Sequence, residues 1–139
     1  IYQSVITLND SVIRKNESSL TNLLNYNSSI YFKDYGRGQL STVAFRGTTA
    51  QQTAVIWNGI NINSQLNGMT DFSTIVTNNF NSIQVKGGGG SVMYGSGALG
   101  GSVHLNNDLL FEENFNNEVQ VNYGSFSKLI YFTPIIYVM

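Results

Sequence analysis

The chain has 139 residues and a net charge of −1, enough for one domain with a modest core. Its 7 basic residues are scattered rather than clustered, which argues against a phosphate-binding surface and so against nucleic acid as a partner. Cysteine is absent, which excludes a disulfide framework and a thiolate metal site. Charged residues make up 11%, against roughly 25% in average soluble domains. Asn, Ser, Thr, Gln and Gly take their place, so the chain is polar without being ionic.

Taken along the chain, Val5, Ile6 and Leu8, then Val12 and Ile13, read as two strands broken at Asn9-Asp10. Ser18 or Ser19 caps a short helix with Leu20, Leu23 and Leu24 on one face. Residues 30–33 are short and extended, 34–39 form a loop around Gly36 and Gly38, and Leu40, Val43 and Phe45 mark another strand. Residues 54–57 are a buried-type strand that turns at Asn58-Gly59, a hairpin signal. Residues 64–70 read as loop, and 72–80 stay open between a helical turn and irregular chain. Residues 83–86 and 101–105 are strands on either side of a glycine-rich segment. Residues 106–117 are polar and acidic and read as a linker. From Glu118, Val119, Val121 and Tyr123 alternate with Gln120 and Asn122, a single two-faced strand, and residues 129–139 abandon that alternation. That last stretch is apolar but broken at Thr133-Pro134, short of the ~20 residues of a spanning helix. Residues 1–10 carry no basic segment leading into an apolar one, so no targeting leader is read there.

Chemistry-bearing patterns are few. Gly95, Gly97 and Gly100 spell G-x-G-x-x-G, but a strand-type run follows where a dinucleotide site needs a helix. His104 is the only histidine and has no second ligand nearby, so a metal site or a triad is not expected. Asp34, Asp71, Asp108 and Glu112-Glu113 show no spacing for acid–base work and read as solvated loop carboxylates. Arg46 closes an apolar strand, and its guanidinium fork suits a carboxylate that has no candidate nearby in sequence. Two loops, 33–40 and 61–70, carry Tyr35, Arg37, Gln39, Asn63, Gln65 and Asn67, aromatic and amide side chains among glycines that suit a polar ligand.

In order, SLTNLL, GRGQLSTVAFRGTTAQQTAVIWNGININ, SIQVKGGGGSVMYGSGALGGSVHL and VQVNYGSF make residues 3–128 resemble the plug (hatch) domain of TonB-dependent outer-membrane receptors. The resemblance implies an α+β fold, a small mixed sheet with short helices, seated in a large antiparallel barrel. It places the plug at 1–107, a linker at 108–117 and the start of a truncated barrel at 118–139. It implies that Tyr35, Arg37, Gln39, Asn63, Gln65 and Asn67 lie on apical ligand-binding loops, and that Arg46 and Lys86 lock plug to barrel. Gln84 departs from the glutamate usual at its position in the family.

The implied function is active uptake of a siderophore, cobalamin or similar nutrient, with no covalent chemistry and no cofactor or metal. GQLS leading into FRG leans towards cobalamin-like receptors. The implied partners are the chain's own missing barrel, the TonB energy-coupling protein and a small nutrient, with the outer membrane reached through the barrel. An alternative reading, a soluble secreted β-rich binding module, also explains the Asn-rich loops and low charge.

Overall fold

The computed structural model describes residues 4–15, 19–28, 30–34, 40–45, 47–88 and 93–108, and the strand residues 116–117, 120–124, 128–132 and 135–136. The chain divides into two compact units, Ile1–Asp108 and Leu109–Met139. The first unit contains β1 (Ser4–Asn9), α1 (Asp10–Lys15), α2 (Leu20–Asn27), β2 (Tyr31–Asp34), β3 (Ser41–Ala44), β4 (Thr53–Trp57), β5 (Ile60–Asn61), β6 (Ser82–Gly87) and β7 (Gly101–Asn106). Single 3-10 turns occur at Ala50–Gln52, Phe72–Thr74, Thr77–Asn79 and Ser96–Ala98. This is the α+β architecture expected from the sequence, a small mixed sheet with short helices.

Five strands form one sheet in the order β1-β6-β7-β4-β5. Every neighbouring pair is antiparallel except β4 and β7, which run parallel from Thr53↔Gly101 to Trp57↔Leu105. The β4–β5 hairpin turns on Asn58 (φ 46) and Gly59 (φ 88), both in the left-handed region that a two-residue type I′ turn requires. Strands β2 and β3 form a separate antiparallel hairpin, Tyr31↔Ala44 to Asp34↔Ser41.

One expected strand is a helix. Val12 and Ile13 sit in α1, not in a second strand after β1. Asp10 stands in its first turn and Arg14 and Lys15 in its last, the arrangement that complements the helix dipole. Arg14 Nε also donates to Asp10 Oδ2 at 2.7 Å, an i,i+4 pair. Ile13 then needs only one apolar face, and it is fully buried.

The core lies on one face of the sheet. The ladder rows Leu8–Ile83–Leu105 and Ile6–Val85–Val103–Val55 align apolar side chains across the strands. Ile13, then Leu20, Leu23 and Leu24 of α2, and Val43 of β3 pack against that face. Phe72 is fully buried among them and meets Phe32 of β2 edge to face, with ring centroids 5.8 Å apart. Each such side chain contributes about 1.5–3 kcal/mol on burial.

The opposite face has a smaller cover. Ala54 and Ile56 of β4 are buried under Ala98, with Tyr94 packed against them. Between Ile56 and Gln84 in the ladder sits His104, whose ring meets Tyr94 edge to face at 4.9 Å. Its Nε2 is 2.8 Å from Ser102 Oγ, and both residues are buried. Burial, with the Lys86 charge adding to it, pushes the imidazole pKa down to about 4, so His104 is neutral at neutral pH.

The second unit is built of β8 (Asn116–Asn117), β9 (Gln120–Gly124), β10 (Lys128–Phe132) and β11 (Ile135–Ile136). β9 pairs antiparallel with β10, from Gln120↔Phe132 to Gly124↔Lys128, and β8 pairs with β11. The strand expected to stand alone therefore has a partner drawn from the stretch expected to leave the pattern. A lone strand presents a row of unpaired N–H and C=O groups, and KLIYF is rich in the aromatic and β-branched residues that suit pairing.

Two stability measurements follow. A Cβ on Gly101 would stand 2.5 Å from both the Lys86 carbonyl oxygen and the Phe45 ring. Gly101→Ala is expected to cost about 3 kcal/mol, the upper end for overpacking. Gly59→Asn, at a left-handed turn position open to solvent, costs under about 1 kcal/mol. Thermal unfolding monitored by circular dichroism separates the two. The second measurement concerns pH. His104 titrates near 4 when folded and at its ordinary 6.5 when unfolded, so the unfolded chain binds the extra proton between those values. Stability then falls as pH drops through that window, and the His104→Gln variant lacks this part of the slope.

Candidate functional site

The loop at residues 61–70 is built around one amide. Asn63 Oδ1 accepts from the Val55 N–H at 2.7 Å and from Thr70 Oγ1 at 3.2 Å. Its Nδ2 donates to the Thr53 carbonyl at 2.8 Å and to the Gly68 carbonyl at 2.9 Å. All the hydrogen-bonding capacity of the side chain is thus engaged. Towards β4 the amide binds the N–H of Val55 and the C=O of Thr53, as the peptide of a neighbouring strand would. The backbone continues the same edge, with the Ile62 N–H donating to the Val55 carbonyl at 2.9 Å.

Beyond Asn63 the loop closes on itself. The Ser64 N–H donates to the Met69 carbonyl, and the Gly68 N–H to the Ser64 carbonyl at 2.8 Å. Asn67 Oδ1 accepts from the Met69 N–H at 3.1 Å, an Asx turn. What faces solvent is Gln65, Leu66 and Asn67, with Leu66 96% exposed.

Asp71 ends this loop and caps the 3-10 turn Phe72–Thr74. Its Oδ1 accepts from the Ser73 N–H at 3.0 Å, from Ser73 Oγ at 2.7 Å and from the Ser41 N–H at 3.1 Å. Partial burial works to raise its pKa, but these hydrogen bonds outweigh it and hold the carboxyl below its ordinary 3.8. Asp71 is therefore not the merely solvated carboxylate expected from the sequence. The Asp-Phe-Ser spacing is a capping signature, and it was the signal available.

Of the residues expected to contact ligand, Asn63, Gln65 and Asn67 share this loop. Asn63 is turned inward on the structural contacts above, whereas Gln65 and Asn67 are exposed. Tyr35, Arg37 and Gln39 lie outside the described residues, as does Arg46. The described part of the β2–β3 hairpin meets the site at Ser41, whose N–H donates to Asp71. Lys86 lies on β6 opposite Ser102 of β7, on the face that carries His104.

Two arrangements resemble chemistry without supplying it. Ser102 and His104 form a serine–histidine pair, but Ser102 is fully buried and Tyr94 packs on the imidazole. A nucleophile there has no route to a substrate. Gly95 caps, Gly97 lies within and Gly100 follows a single 3-10 turn that leads into β7. Among the described residues here, no α-helix N-terminus is presented to a pyrophosphate. An open groove lined by Asn25 and Ser28 of the α2 end, Tyr31, Phe45 and Thr48 adds no acid–base cluster.

The TonB-dependent receptor plug domain family matches residues 1–102. The vitamin B12 transporter BtuB of Vibrio vulnificus is 36% identical over 70 residues, covering 50% of this chain and 11% of the transporter. Among solved structures, a variant of the ferric enterobactin receptor PfeA of Pseudomonas aeruginosa has a TM-score of 0.67 at 20% identity, covering 87% of this chain and 20% of the receptor. FpvA of the same organism, bound to heterologous pyoverdines, has a TM-score of 0.67 at 16% identity, covering 91% of this chain and 17% of FpvA. The chain thus spans 11–12% of the curated relatives it matches and 17–20% of these receptors. The structural likeness establishes the fold, and the related proteins are transporters and receptors rather than enzymes. On the match to residues 1–102, the chain belongs to the TonB-dependent receptor plug domain family.

Proposed function

We propose that this chain serves as the plug of an outer-membrane receptor for active uptake of a siderophore, cobalamin or similar nutrient. The observation that carries the reading is the family match over residues 1–102. In this reading the plug is residues 1–107, residues 108–117 link it onward, and 118–139 begin the surrounding barrel. The paired strands of the second unit support the last assignment, because barrels are closed by antiparallel neighbours.

The plug occludes the barrel until a nutrient binds outside, and TonB, an energy-coupling partner in the inner membrane, then drives its rearrangement. Tyr35, Arg37, Gln39, Gln65 and Asn67 contact the nutrient, while Asn63 shapes the loop that presents its share of them. Arg46 and Lys86 fasten plug to barrel. A hydrogen-bonded loop suits this role, because a tip that is already ordered loses less entropy on binding.

The reading is tested in cells that depend on the receptor carrying this chain. Uptake of its nutrient, with cyanocobalamin and ferric enterobactin as the first probes, is expected to fall to background when TonB is deleted, while surface binding persists. Uptake that continues without TonB would refute it. At the loop, Gln65→Ala is expected to weaken nutrient binding about three- to tenfold with an unchanged melting temperature. Asn63→Ala orphans the Val55 N–H and the Thr53 carbonyl and should lower stability by about 2–3 kcal/mol even without nutrient. Equilibrium binding and thermal unfolding on the same variants distinguish contact from support.

A further inference from the structure

We propose that Asp71 is a positioning residue that couples the loop at residues 61–70 to β3 of the β2–β3 hairpin, so that a change at the loop is felt at Ser41. The inference rests on the reading of those elements as nutrient-binding, and it adds what holds them in register. The key observation is that the residue directly following the loop is pinned to β3. Asp71 Oδ1 accepts from the Ser73 N–H and Oγ in the 3-10 turn that succeeds the loop, and from the Ser41 N–H at the first residue of β3.

The hairpin is fixed at the same place by two further contacts. Ser41 Oγ lies 3.1 Å from Thr21 Oγ1 in a buried pair. Phe72, next to Asp71, meets Phe32 of β2 edge to face. On the loop side, Thr70 binds Asn63, so the path from the tip to Asp71 is short and ordered. Hydrogen bonds to an ionised acceptor are roughly twice as strong as neutral ones, which makes a carboxylate the suitable link between two segments 30 residues apart.

The test is a mutant cycle read by amide resonances of the isotope-labelled full chain, with no nutrient added. Asn67→Ala removes the acceptor for the Met69 N–H at the loop tip. With Asp71 present, that change is expected to shift the Ser41 amide resonance. In an Asp71→Ala background the Ser41 shift should vanish, and in Asp71→Asn, which keeps an oxygen acceptor, at least half should return. A purely local role for Asp71 would lower the melting temperature without making the response of Ser41 to Asn67 depend on it. An equal Ser41 shift in the Asp71→Ala background, or none with Asp71 present, overturns the proposal.

If Asp71→Ala does not fold, hydrogen exchange at Ser41 decides. Asp71→Asn, lacking the charge, should speed it about tenfold, whereas Ser73→Ala, which keeps the Ser41 bond, should leave it unchanged. Equal exchange in the two variants overturns the coupling. Because no nutrient is present, failure of the loops to bind one leaves this result standing, and failure of the coupling leaves the binding test intact.

Discussion

The close seating of β7 against the end of β6 depends on the absence of a side chain at Gly101. The Phe45 ring and the Lys86 carbonyl both occupy the space a Cβ would take, so β3's exit, β6's end and β7's start converge at one point. The neighbouring glycines serve the same convergence. Gly97 lies against the Gln51 carbonyl and Gly100 against the Thr48 side chain, and the Gly100 N–H donates to the Gln52 carbonyl at 2.9 Å. The segment from Phe45 to Gln52, which leads into β4, is thus cradled by the chain that leads into β7. Close approach at Gly97, Gly100 and Gly101 stands beside a different need at Gly88 (φ 95) and Gly95 (φ 108), where the backbone is left-handed and a Cβ would meet nothing.

A chain with so few charges builds its connections from amides and hydroxyls. Asn63 replaces a strand peptide along β4, and Asn107 ties together the residues around the C-terminal end of β4 by different contacts. Asn107 Oδ1 accepts from Trp57 Nε1 at 2.7 Å, its N–H donates to Asn58 Oδ1, and its Nδ2 donates to the Asn79 carbonyl. Side-chain amides carry a donor and an acceptor in the geometry of a peptide, so they can end or extend a ladder where another strand is missing. Composition that looks merely polar in the sequence therefore has a structural use at particular residues.

Patterns with one dominant period were legible. The leucines of α2, the Asn58-Gly59 hairpin and the strands flanking the glycine segment lie where hydrophobic spacing and turn chemistry place them. Val12 and Ile13 were misassigned because two adjacent apolar residues fit either period, and only the Asp10–Arg14 pair selects the helix. The partner of β9 was missed because an apolar run without alternation shows no register of its own. At the site, spacing identified the loop but not the direction of its side chains. Asn63 and Asn67 are indistinguishable in sequence, yet one is turned into the fold and the other out. The link that Asp71 makes to β3 is not legible in sequence, since its partner Ser41 lies 30 residues away.

The two faces of the sheet are held unequally. One face is sealed by two helices, the β2–β3 hairpin and Phe72. The other is covered over β4 by Ala98 and Tyr94, with Ala54 and Ile56 the buried apolar residues beneath them. Ala54 and Ala98 bury little area, so apolar burial holds the 93–100 segment less strongly than it holds α2. The Asn61 Nδ2 bond to the Tyr94 carbonyl, at 3.1 Å, ties that weaker cover to the strand that leads into the loop at 61–70. The lightly held segment and the hydrogen-bonded tip therefore share an anchor. The same segment runs through Gly100 directly into β7, a central strand, so a pull on it bears at once on the edge strand β5 and on the core.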